Sequence, residues 1–177
     1  MRIYVPATLD ELEGAVVAAA GARWDVPARR AHAVTPALLR ELPDEDDESR
    51  EYEAFLAAAD DSLALVASRR TAVPLRVVVS LDVPDAEITV PDGADEPSAV
   101  DVAALTGVAA VAVHVDEPEA AQDVRAVLAA ADEENDAERI GAVGAASETT
   151  LDAALQRVTD RDLLWYDPTE IPQIPRP

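Results

Sequence analysis

The chain has two histidines, His32 and His114, and no cysteine. Thiolate nucleophiles, thiolate metal sites, iron–sulfur clusters and disulfides are therefore excluded, and any acid–base chemistry must come from imidazole, carboxylate and hydroxyl groups. Asp116 follows His114 at a spacing of two. On a strand that spacing puts both side chains on one face, where they suit a shared metal ion or an imidazole oriented as a general base. His32 to Thr35 closes a second predicted strand, and Tyr4 to Thr8 closes a first. Sheets with helical crossovers bind ligands beyond the carboxyl ends of their strands, so these polar turns converge if the strands are parallel neighbours. His32, His114 and Asp116 are then the candidate catalytic residues, with Tyr4, Thr8 and Thr35 lining the pocket. The competing structural reading makes both histidines half-buried strand ends with capping neighbours, Asp116 among them as an N-cap.

Other reaction signatures are missing from the sequence. Gly141-Ala142-Val143-Gly144 lacks the spacing and the Lys of a phosphate loop, and no Gly-x-Ser-x-Gly elbow occurs. Acids alternate at Asp132, Glu134 and Asp136, yet Ala137 stands where a calcium loop needs Gly and Val143 where it needs Glu. No cofactor and no dedicated metal site is expected.

The elements that must position the candidates follow from periodicity. Arg2 to Pro6 reads as a strand, and Thr8-Leu9-Asp10-Glu11 has capping-box spacing, so a helix is expected through Leu9, Leu12 and Val16 until Gly21 stops it. Arg30 to Val34 is a short strand, ended by Thr35 as N-cap and Pro36 at the first helical position. From Glu48 to Ser68 the residues Tyr52, Phe55, Leu56, Ala59, Leu63 and Val66 mark one stripe of an amphipathic helix. Leu75 to Val83 and Val108 to Val115 are β-branched strands, and residues 84–106 form a loop with one edge strand near Ile88 and Val90. A helix runs from Asp116-Glu117-Pro118 to about Ala131, and one or two more span 136–158, interrupted by Gly141 and Gly144. Trp165 and Tyr166 read as core anchors, because a chain with six aromatic residues needs its large rings for packing. Residues 168–177 read as a Pro-rich tail after a single domain over 1–167.

With 177 residues, 49 % of them hydrophobic, the chain can bury a core. Its 36 acidic and 14 basic residues leave a net charge of -22, which excludes a nucleic-acid binder with a basic face. Residues 1–42 hold five acids and five arginines, so the whole excess lies beyond Leu42, where Asp44 to Glu48 must be solvated. The amino terminus shows no signal-peptide pattern, and apolar runs such as Val108 to Val113 are far short of the roughly 20 residues that span a bilayer. A cytoplasmic protein with no membrane contact is expected.

The segments Arg2 to Thr8, Ala31 to Leu38, Val113 to Pro118 and Asp162 to Pro172 together resemble a family of small actinobacterial proteins described as a domain of unknown function. The resemblance implies no activity, cofactor or partner. The expected fold is α/β or α+β, a mixed sheet of about four to six strands covered by helices, with ferredoxin-like halves as one arrangement. The leading functional expectation is a non-enzymatic accessory protein that acts through protein–protein contact, as a homodimer or with another chain. The alternative is a small enzyme or metal-dependent binder built on His32, His114 and Asp116.

Overall fold

The computed structural model of the chain describes residues 1–91, 93–139 and 145–177. Nine strands form one sheet: β1 (Arg2–Ala7), β2 (Val16–Ala18), β3 (Gly21–Val26), β4 (Arg29–His32), β5 (Val77–Asp82), β6 (Ile88–Thr89), β7 (Ala99–Val102), β8 (Leu105–Asp116) and β9 (Leu163–Tyr166). Their order is β2-β3-β8-β5-β1-β4-β7-β6, with β9 added to the edge of β8. The helices are α1 (Pro36–Glu41), α2 (Asp47–Ser68), α3 (Ala121–Arg139) and α4 (Ala145–Thr159). The architecture is α+β, and the sheet is larger than the four to six strands expected. Every ladder among the described residues is antiparallel. The parallel neighbours on which the strand-end pocket depended are therefore not present there.

The central strands bury both faces. Ile3, Val5 and Ala7 of β1, Val77, Val79 and Leu81 of β5, and Val113 and Val115 of β8 point to one side and build the main core. Each such side chain contributes roughly 1.5–3 kcal/mol by leaving water. Their alternates Tyr4, Val78, Ala112 and His114 face the other side, where α2 lies. α2 presents Ala54, Ala58, Ala59 and Ser62 to that face, and side chains this small let the helix sit close to the strands. The Ser62 hydroxyl donates to the Ala7 carbonyl at 2.8 Å and accepts from the Val77 amide at 2.7 Å, pinning α2 to two strands at once. Farther along, Leu63 and Val66 pack with Val124 and Val127 of α3 and Ala154 and Val158 of α4.

Several expected elements form as the sequence reads. α2 starts one residue before the expected Glu48, with Asp46 capping the Ser49 amide at 2.8 Å. Thr35 caps α1 through Ala37 and Leu38, and Pro36 opens it. The helix expected to begin at Pro118 starts with a 3-10 turn and runs on as α3 to Arg139, and the interruption expected at Gly141 and Gly144 lies outside the described residues. The amino-terminal helix does not form. Leu9 reaches the core from a turn and Leu12 from the 3-10 helix at Glu11–Gly14 that follows it, and Val16 to Val26 becomes the β2–β3 hairpin, which Gly21 closes at φ 133°. The first strand–helix–strand half of a ferredoxin-like arrangement is accordingly missing. Residues 168–177, expected as a tail, carry a 3-10 helix at Pro168–Gln173, and Ile174 enters the main core.

Candidate functional site

The six sequence-predicted residues do not gather in one pocket. Tyr4 pairs with His32 across β1 and β4, but His114 lies on β8, three strand spacings from β4 along β4-β1-β5-β8. At about 4.8 Å per spacing the two strands are roughly 14 Å apart, too far for one metal ion to bridge their imidazoles. Among the described residues no group of three or more His, Asp or Glu side chains stands ready to hold a metal.

His32 is 1 % exposed. Its Nδ1 lies 2.8 Å from the Ser98 hydroxyl and its Nε2 lies 3.0 Å from Asp61 Oδ2, while the Ser98 hydroxyl donates to Glu96. A Ser–His–Asp series suggests nucleophilic catalysis. Here Ser98 is itself 1 % exposed, so no substrate carbonyl reaches its hydroxyl, and the series ties β4, α2 and the loop before β7 together.

Asp116 is not an N-cap. Both its oxygens bind Arg76, with Nη2 at 2.8 Å to Oδ1 and the Arg76 amide at 2.8 Å to Oδ2, and both side chains are buried. Thr35 and Thr8 are buried as well. Thr35 donates to the Pro97 carbonyl besides capping α1. The Thr8 amide donates to Glu11, whose carboxylate also takes Arg29 and Arg69. Burial alone would push the Glu11 carboxyl up, but the Arg29 hydrogen bond and the Thr8 amide hold it below the usual carboxylate range.

Two of the six residues do share a cavity. A groove of about 640 Å³ opens between the first turns of α2 and the sheet face of β1, β5, β8 and β9. Its register is read across the strands: Tyr4 opposes Ser80, Ser80 opposes Ala112, and His114 opposes Trp165, so all five side chains share one face. From α2, Glu48, Glu51, Tyr52 and Phe55 arrive at helical spacing. The Phe55 ring meets His114 edge-on at 4.9 Å and Tyr4 edge-on at 6.1 Å, and it stacks with Tyr52 at 6.1 Å. The Tyr4 hydroxyl donates to Glu51 at 3.1 Å. Burial first, and the Glu51 charge second, raise the Tyr4 pKa, so the phenol stays a donor. Burial lowers the His114 pKa from its usual 6.5, an interaction with the Val78 backbone opposing it. Its Nδ1 is buried and has no hydrogen-bond partner among the described residues.

Four of the six aromatic residues, Tyr4, Tyr52, Phe55 and Trp165, line this groove, and Tyr52 and Trp165 remain 52 % and 59 % exposed. Trp165 is therefore not the core anchor expected; Tyr166, which faces the other way on β9, packs on the core. The signal was in the sequence as the pair Tyr52 and Phe55 on a face that also carries Glu48 and Glu51, and in the alternation of Leu163 and Trp165. Only the strand register brings those two segments together. Chemically, the groove offers ring faces, hydroxyls and carboxylates without an activated nucleophile.

No curated protein and no solved structure matches the chain. One family, described as a family of unknown function (DUF6912), matches residues 1–174. That match spans all but the final three residues, and the chain belongs to the DUF6912 family.

Proposed function

We propose that the chain is a cytoplasmic, non-enzymatic accessory protein that acts through protein–protein contact, with the aromatic groove as its contact surface. The observation that carries this reading is the gathering of four of six aromatic residues on one open groove, two of them more than half exposed. Exposed large rings forfeit burial energy in the free protein, and Trp and Tyr are the residues that most often dominate binding energy at interfaces. Nothing in the arrangement favours the enzyme reading, since His32 and Asp116 are each engaged in enclosed polar networks.

The test is site-specific photo-crosslinking in cells. A crosslinker placed at Tyr52 should capture one dominant partner, and one placed at Val16, which is exposed outside the groove, should not. Capture of a second copy of the chain would make the contact a homodimer. Equal capture at both positions, or none at Tyr52, would remove the groove as the contact surface.

A further inference from the structure

The groove carries charge as well as rings, with three arginines and three carboxylates in its lining. Its three arginines are already answered: Arg2 by Asp82 at 2.7 Å, Arg76 by Asp116 at 2.8 Å, and Arg161 by Asp123 at 2.7 Å and by Glu117. Two carboxylates of α2, Glu48 and Glu51, and a third between α4 and β9, Asp162, have no basic group within 4 Å among the described residues. Glu51 accepts from the neutral Tyr4 hydroxyl and interacts with Arg2 only through charge at a distance.

Unanswered carboxylates beside ring faces define the complementary ligand. A cation over an aromatic face is attracted by the ring quadrupole, and the attraction grows as the pair is desolvated. The field of a chain with net charge -22 draws cations toward it and repels acidic partners and nucleic acid. Phe55, Leu56, Val111, Ala112 and Leu163 add apolar surface to the lining, so a bare cation would leave that surface unfilled.

We propose that the occupant is a basic, amphipathic segment of a partner protein. Its Arg or Lys cation lies against Tyr52, Trp165 and the carboxylates of Glu48 and Glu51, and a neighbouring apolar side chain packs on Phe55. The proposal rests on the groove being the contact surface.

Trp165 supplies the readout, because the other tryptophan, Trp24, is 3 % exposed and bonded to the Glu11 carbonyl. The full chain is titrated with an end-blocked peptide, Gly-Ser-Leu-Arg-Leu-Arg-Leu-Ser-Gly, and with versions carrying Gln or Glu in place of Arg. The Arg peptide should shift the Trp165 emission saturably and bind about tenfold or more tighter than the Gln version. Calorimetry should show that Tyr52→Ala, and separately Glu48→Gln with Glu51→Gln, each weaken it by about five- to tenfold, because each removes one half of the cation site. These residues are half-exposed or on the surface, so the variants fold.

Equal binding of the Gln peptide would overturn the cationic occupant while leaving the groove as a contact surface. Arg-peptide binding that ignores Tyr52→Ala would place the cation on the acidic surface at large and overturn the proposal. Tetraethylammonium binding as tightly as the peptide would replace the partner protein with a small organic cation. No response to any peptide would overturn the basic occupant, while the crosslink at Tyr52 decides the groove separately.

Discussion

Replacing Asp116 by Asn should be among the most damaging single polar changes in the chain. Asp116 and Arg76 have side-chain exposures of 0 % and 3 %, and the carboxylate takes Nε, Nη2 and the main-chain amide of Arg76. Removing one partner of such a pair leaves a buried, uncompensated charge, at a cost of about 3–5 kcal/mol. Asn keeps one oxygen for the Arg76 donors, so the lower end, about 3 kcal/mol, is expected. In a chain of this length that corresponds to a melting-point fall of roughly 6–12 °C. The control is Asp82→Asn, which breaks the Arg2 pair at 2.7 Å, where the side chains are 38 % and 59 % exposed. Solvent screening limits that loss to about 1 kcal/mol or less. Urea unfolding followed by circular dichroism measures both. Equal losses for the two variants would refute the reasoning, since the pairs differ in burial and in the main-chain amide that only Asp116 accepts. A charge-free double change, Arg76→Met with Asp116→Leu, should recover part of the loss, short of what the unpaired Arg161 carbonyl and the unpaired main-chain amide of residue 76 cost.

Three further outcomes follow from buried polar contacts. Ser62→Ala strands the Val77 amide and the Ala7 carbonyl, so urea unfolding should show a loss of about 1–3 kcal/mol, whereas Ser68→Ala, whose hydroxyl is exposed, should cost little. Thr35→Ala removes the α1 cap and the donor to Pro97, for about 1–2 kcal/mol, and Thr35→Ser should restore most of it by the same assay. His114 is held below its usual pKa of 6.5 by burial, so the unfolded chain binds its proton first as pH falls. Its stabilising contribution is complete above that value and is lost as pH falls through the folded one. The stability gap between the native chain and His114→Gln should therefore narrow as pH falls below 6.5, and a constant gap would contradict a depressed imidazole.

Local pattern was enough for elements whose reason is local. The 3.6-residue stripe of α2, the β-branched runs of β5 and β8, and the Thr35-Pro36 cap are all visible without a partner. The amino-terminal helix misled because Leu9, Leu12 and Val16 fit helical spacing equally well. What decides the segment is distant: Arg29 of β4 and Arg69 beyond α2 claim Glu11, and β3 pairs with β8, more than eighty residues on. The expected convergence at the strand ends was illegible for a related reason. Strand direction and register are set by pairing between remote segments, so the convergence of Tyr4, His32 and His114 could not be tested from spacing alone. The same ignorance hid the groove, whose aromatic wall joins residues of α2 to residues of β1 and β9.

The polar networks and the groove belong to one design. α2 is fastened over the sheet by its later half: Asp61 binds His32, Ser62 joins β1 to β5, and Leu63 and Val66 lock into α3 and α4. Its beginning is held differently. The Arg50 guanidinium donates to the Leu42 and Pro43 carbonyls, fixing the entry from α1, and Asp46 caps the first turn. Between those anchors the turns bearing Glu48, Glu51, Tyr52 and Phe55 project over the strands with no ion pair to the sheet among the described residues, held there by the Tyr4–Glu51 hydrogen bond. A helix fixed at both ends presents its middle rigidly, and side chains so presented lose little entropy when a ligand arrives. On that argument, loosening the distant anchor with Ser62→Ala should weaken occupancy of the groove even though Ser62 does not line it. A Ser62→Ala chain that stays folded and binds with unchanged affinity would show that the groove is set by the sheet face alone.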